Sequence, residues 1–194
     1  MNEESDFSAK LGSAIKAAER AAEISRHYYD GNFRVAMKED RTPVTQADIE
    51  CEEVIREIIL EQYPDDGFYG EETGKTEGAG ADLWLVDPID GTKAFVRRYP
   101  FFSTQIALMR NHQLMLGVSC GTMFNELIWA ERGKGALLNG QRLAVSKIDD
   151  LSKATYSTGN LKSLSVSDGW ARLGEIVSMS DRIRGYGDFY QYHL

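Results

Sequence analysis

The chain has 194 residues, 42% of them hydrophobic and 27% charged, with 18 glycines and only 4 prolines. That composition excludes a disordered, collagen-like or disulfide-stapled chain and leaves ample material for a hydrophobic core. The net charge of −8 argues against a surface built to hold a nucleic-acid backbone. An acidic chain can still bind a phosphate if divalent cations supply the positive charge. Cys51 and Cys120 have neither metal-ligand nor redox spacing, which fits free thiols in a reducing, cytoplasmic setting. Met1-Asn2-Glu3-Glu4 is acidic where a leader would be basic, and no apolar run reaches membrane-spanning length; a soluble protein is expected.

In chain order, Phe7, Leu11, Ile15, Ala18 and Ala22 recur at helical steps and predict a first helix that stops near Asp30-Gly31-Asn32. A second helix opens at Thr45, where Thr45-x-x-Asp48 has the form of a capping box. Its predicted apolar face is Ile49, Val54, Ile55, Ile58 and Ile59, and Pro64-Asp65-Asp66-Gly67 ends it. Strands come next: Leu83 to Val86, then Thr104-Ile106-Leu108 by alternation, then Leu114 to Ser119 and Leu127 to Glu131. Asn139-Gly140 predicts a tight hairpin between Leu137-Leu138 and Gln141 to Val145. Helices followed by a meander imply an α+β unit, helices stacked on a largely antiparallel sheet, over residues 1–145. Residues 146–194 read as the start of a second α/β unit, with a strand at Thr155 to Thr158 and a helix at Ser167 to Val177. Asp188 is placed to cap a last helix bearing Phe189 and Tyr192. Fewer than two turns remain before Leu194, so a truncated C-terminal part is expected.

The chemistry is concentrated in Asp87-Pro88-Ile89-Asp90-Gly91-Thr92. An apolar strand delivers Asp87 to its end, and Asp90 comes within reach of the same small volume. Two such carboxylates repel unless a cation lies between them, and hard oxygen donors select Mg²⁺, Mn²⁺ or Ca²⁺. The Ile89 carbonyl offers a neutral ligand. Gly91-Thr92 opens a helix whose free amides suit a phosphate. A capped turn in which Asp90 bonds its own backbone would use the same residues. Upstream, Gly70-Glu71-Glu72-Thr73 brings a further glutamate able to bridge to the same ions. His27, His112 and His193 are scattered single residues suited to packing, and Arg97-Arg98 are surface charges able to steer anions.

Taken together, Gly70-Glu71-Glu72 and Trp84-Leu85-Val86-Asp87-Pro88-Ile89-Asp90-Gly91-Thr92, with Phe95, resemble the signature of the inositol monophosphatase superfamily. Thr42-Pro43-Val44-Thr45-Gln46-Ala47-Asp48, with Lys38 before it, is similar to that superfamily's preceding motif. The resemblance implies a layered α/β/α/β/α sandwich, a homodimer, and Mg²⁺-dependent, lithium-sensitive hydrolysis of small phosphate monoesters. It assigns Glu71, Asp87 and the Ile89 carbonyl to a first metal, and Asp87 and Asp90 also to a second. It makes Thr92 and Glu71 orient the attacking water, with Asp48 supporting them, and gives the Gly91 and Thr92 amides to the phosphate. A further aspartate on a Trp-Asp motif completes the second metal site in the family. Trp170 is here followed by Ala171, so that second site is expected to be weak, and a non-catalytic metal-binding subunit is the alternative of another class. Inositol phosphatases usually carry Asn before the phenylalanine, whereas Lys93-Ala94 stands here. Gly91-Thr92-Lys93 is familiar from histidinol-phosphate and nucleotide 3′-phosphate phosphatases. Pro100 to Leu108 and Arg184-Gly185-Tyr186-Gly187-Asp188 resemble the histidinol-phosphate branch of histidine biosynthesis, with Asp188 placed to meet a substrate ammonium or imidazolium.

Overall fold

The computed structural model describes residues 7–31, 34–37, 43–159 and 161–194; Lys38, Thr42 and Asn32 lie outside them. Two compact units divide the chain, Met1–Leu143 and Ala144–Leu194.

The first unit begins with α1 (Ala9–Asp30), whose N-terminus is capped by Ser8, the side chain accepting from the Leu11 amide. Leu11, Ala14, Ala17, Ala18 and Ala21 are buried on one stripe, and the small alanines allow α2 (Gln46–Gln62) to approach closely. Between the helices lies a short antiparallel pair, β1 (Val35–Met37) and β2 (Pro43–Thr45). Beneath them runs an eight-stranded sheet. Its strands are β3 (Gly67–Gly70), β4 (Gly74–Thr76), β5 (Asp82–Asp90), β6 (Ser103–Arg110), β7 (Gln113–Gly121), β8 (Glu126–Glu131), β9 (Gly135–Leu138) and β10 (Gln141–Arg142), in the order β10-β9-β8-β7-β6-β5-β3-β4. Every pairing is antiparallel except β3 with β5, which run side by side in register from Gly67↔Leu83 to Gly70↔Val86. Trp84, Val86, Ile106, Leu108, Leu116 and Val118 point to the helices and form the core with them. Alternation sends Leu85, Asp87, Gln105, Ala107 and Ser119 to the other face, where they line a concavity of about 860 Å³.

The α+β class, with helices on a largely antiparallel sheet, is as expected. Three local expectations are corrected. Ile55 and Ile59 of α2 are buried as expected and Val54 and Ile58 pack against the core, but Ile49 is 37% exposed, and the buried face also takes in Ala47, Asp48, Cys51 and Glu52, with two carboxylates turned inward. The strand after Asn139-Gly140 ends at Arg142 rather than running to Val145, which is 94% exposed. Arg98 does not stand free as an anion guide: in left-handed backbone geometry (φ 62°), its guanidinium donates to the carbonyls of Tyr28 and Gly31, while Tyr29 donates its hydroxyl to the Arg98 carbonyl at 2.7 Å.

The second unit holds a parallel pair, β11 (Thr155–Ser157) with β12 (Arg182–Arg184), and the helices α4 (Leu161–Leu164), α5 (Gly169–Met179) and α6 (Tyr190–His193). The cap expected of Asp188 is not formed. Phe189 holds the capping position without a side-chain bond, and Asp188 sits before it in left-handed geometry (φ 35°). Cys51 and Cys120 are buried free thiols. Among the described residues no helix is long and apolar enough to cross a membrane.

Candidate active site

The parallel pair explains why two distant acidic motifs meet. β3 and β5 point the same way, so their carboxyl ends lie together, the side of a sheet where open α/β folds place ligands. The Glu71 amide donates to the Val86 carbonyl at 3.1 Å, which sets Glu71 beside Asp87 at this shared end. Glu71 is exposed at the rim, while Asp87 and Asp90 are half-buried.

Between Asp87 and Asp90 the β5–β6 ladder loses its register, pairing Asp87 with Gln105 and resuming at Asp90 with Ser103. Proline carries no amide to donate, so Pro88 suits a position where the ladder breaks. The buried Thr104 hydroxyl donates to the Pro88 carbonyl at 2.9 Å and holds the irregularity in place. A bulge of this kind re-aims the residues beyond it. Here it anchors the Ile89 side chain in the core, 1% exposed, and leaves its carbonyl beside the Thr92 hydroxyl at 3.2 Å.

Gly91 then takes φ 95°, and a β-carbon there would come within 2.6 Å of the Phe101 carbonyl; both demand glycine. It precedes α3 (Thr92–Val96), a single turn in which the Ala94 and Phe95 amides both bond to the Gly91 carbonyl. Five residues make a weak dipole, so any electrostatic pull of this turn comes from its local amides. The Thr92 hydroxyl also reaches Asp48 Oδ1 at 3.3 Å. Asp48 is 1% exposed at the start of α2, where its other oxygen accepts from the Thr45 amide at 2.7 Å and the Thr45 hydroxyl at 2.5 Å, completing the predicted capping box. Burial raises the Asp48 carboxyl above its ordinary range, against the lowering effect of the Thr45 and Thr92 bonds.

Asp87 is the electrostatic centre. Its Oδ1 is buried with no hydrogen-bond partner. Burial first, then the carboxylates of Glu71 and Asp90, push its carboxyl far up from the usual range. An acid held among acids, with an unsatisfied buried oxygen, is the donor chemistry that a hard divalent cation satisfies. The carboxylates are not drawn into a tight, preformed trio: among the described residues no three His, Cys, Asp or Glu side chains stand together as a ready metal cage. Glu71, Asp87, Asp90, Ile89, Gly91, Thr92 and Asp48 are thus brought to one end of the sheet, whereas Asp188 belongs to the second unit.

One residue escapes sequence reasoning. Glu52 is fully buried and accepts the amides of Glu72 at 2.8 Å and Thr73 at 2.9 Å. The available signal was its place four residues after Asp48, on the same helix face.

The profile described as the inositol monophosphatase family matches residues 9–175. This chain belongs to that family. A histidinol-phosphatase of Chlorobaculum parvum is 35% identical over 182 residues, covering 93% of this chain and 70% of the relative. A histidinol-phosphatase of Mycobacterium tuberculosis is 36% identical over 193 residues, covering 93% and 72%. Among solved structures, the IMPase of Thermotoga maritima superposes with a TM-score of 0.81 at 31% identity, covering 93% of this chain and 69% of that one. The fold of this family member is therefore the family's own.

Proposed function

We propose that the protein is a divalent-cation-dependent phosphomonoesterase acting on a small phosphate ester, with histidinol phosphate as the substrate. The observation that carries the reading is Asp87: a buried carboxylate oxygen without a partner, facing two further acids. Glu71, Asp87 and the Ile89 carbonyl would hold one Mg²⁺, with Asp90 and Asp87 facing a second. When bound, such cations offset charge on the phosphate oxygens and lower the pKa of a water at neutral pH.

The chain's own groups do the rest. Thr92 directs its hydroxyl proton toward Asp48 or Ile89, which leaves its oxygen lone pairs to accept from an attacking water and fix its orientation. Asp48 is held by two bonds from Thr45 and so keeps Thr92 from rotating. The Gly91 and Thr92 amides would donate to the phosphate oxygens. Charge builds on those oxygens during displacement, so donors already oriented lower the barrier.

The choice of histidinol phosphate is supported by the relatives named histidinol-phosphatase and by Lys93-Ala94, where inositol phosphatases usually carry asparagine before the phenylalanine. Inositol monophosphate is the second reading, favoured by the likeness to the Thermotoga structure named an IMPase. Phosphate release under Mg²⁺ from histidinol phosphate, inositol 1-phosphate and a nucleotide 3′-phosphate separates them. Histidinol phosphate is expected to turn over fastest and Li⁺ to inhibit. No release from any of the three, together with no Mn²⁺ uptake by calorimetry, would sink the enzyme reading.

A further inference from the structure

One face of α2 carries Asp48, Glu52 and Arg56 at four-residue steps, one above the other. Asp48 holds Thr92. The other two reach the loop that carries Glu71. Both Glu52 oxygens are used, one on the Glu72 amide and one on the Thr73 amide. Arg56 donates to the Thr73 hydroxyl at 2.5 Å and the Thr76 hydroxyl at 3.2 Å, and lies 4.2 Å from the centroid of the Phe68 ring on β3. Thr73 is therefore gripped twice, at its amide by Glu52 and at its hydroxyl by Arg56.

Gly70 shows how closely the grip is drawn. A β-carbon at this position would fall 2.2 Å from the Glu52 carboxylate. The glycine of Gly70-Glu71-Glu72 thus leaves room for the buried acid behind the loop, and a side chain there would push the carboxylate off its two amides. Burying a carboxylate is costly unless its oxygens are bonded, and Glu52 spends its bonds on the loop beside Glu71 rather than on the core. We infer that Glu52 and Arg56 are positioning residues that fix the Glu71 loop from behind, so that α2 sets the affinity of the cation site. The inference rests on the metal-site reading above and adds residues to which that reading gives no part. Groups that orient metal ligands from behind are typically worth about 10- to 100-fold in affinity.

The test titrates Mn²⁺ by calorimetry into the full chain and into Glu52→Gln, Gly70→Ala and Arg56→Met, with thermal melts and amide hydrogen exchange on each. The amide that replaces the Glu52 carboxylate keeps its shape but presents an NH₂ to one of the two backbone donors. Glu52→Gln and Gly70→Ala are expected to weaken Mn²⁺ binding at least about tenfold while melting cooperatively, with faster exchange at the Glu72 and Thr73 amides. Arg56→Met is expected to weaken it about threefold, by losing the outer half of the grip. A merely structural role would lower the melting temperature and leave Mn²⁺ affinity alone; that result overturns the inference. If Glu52→Gln does not fold, Arg56→Met decides, and unchanged affinity there overturns it equally. Wild type that takes up no Mn²⁺ at all fails the metal-site reading and the inference together, whereas normal uptake with unmoved variants fails the inference alone.

Discussion

The two ends of β5 carry the same residue type in opposite electrostatic settings. At its start, Asp82 is 7% exposed and fully paired: Arg110 donates to it in a two-pronged fashion at 2.5 and 2.6 Å, and Lys10 at 2.7 Å. The Arg110 bonds, working against burial and joined by Lys10, hold its carboxyl down at about 2. At the far end Asp87 is also recessed, but its neighbours are acids and one oxygen has no partner. A single strand thus separates an acid neutralised by the chain's own cations from an acid surrounded by acids, with one buried oxygen left without a partner. The first end stabilises the fold, and the second is where chemistry is proposed.

Substitutions at the two ends should therefore fail in different ways. The largest effect is expected from Asp87→Asn, which should weaken Mn²⁺ binding by more than about 100-fold, or roughly 3 kcal/mol, measured by calorimetry. Without metal the same variant should melt slightly higher than wild type, because it removes repulsion among carboxylates; a lower melting point would contradict the contrast. Asp82→Ala should do the reverse, costing about 2 kcal/mol in urea unfolding by removing a recessed acid from cations that themselves reach solvent, with little change in Mn²⁺ affinity. Its wild-type contribution should also depend on acid. The folded carboxyl is depressed, so its stabilisation is complete above the unfolded pKa near 4 and fades as pH falls toward about 2. Urea midpoints measured across that window should fall less steeply in Asp82→Ala than in wild type. Gly91→Ala is expected to cost about 1–3 kcal/mol, through its positive φ and the Phe101 carbonyl. Smallest is Thr104→Val, about 1 kcal/mol for the bond to Pro88, read as a shift in urea midpoint.

The same division separates features legible in the residues from those that were not. The capping box at Thr45 and Asp48 is local chemistry, and it stands as expected. Strand alternation in Thr104, Ile106 and Leu108 likewise reports burial directly. The convergence of Gly70-Glu71-Glu72 with Asp87 depends on a parallel pairing across an intervening strand, and periodicity does not report partners. Glu52 was hidden for a related reason: a glutamate in a helix reads as a solvated charge until something distant is known to need its oxygens. Ile49 is the converse, an apolar residue taken for core on a helix whose inner face had been given to acids.

The clasp between α1 and the turn after α3 has its own consequence. Arg98 bonds back to the carbonyls of Tyr28 and Gly31, Tyr29 answers with its hydroxyl, and the Phe95 ring packs edge-on to Phe102 at 4.9 Å. A one-turn helix alone would flicker open on the timescale of a fraying terminus. Moored through Arg98 to a 22-residue mast, the Gly91–Thr92 bend has less freedom to fray, and if its amides receive an anion as proposed, part of the entropy of ordering them is settled at folding rather than at each encounter with substrate.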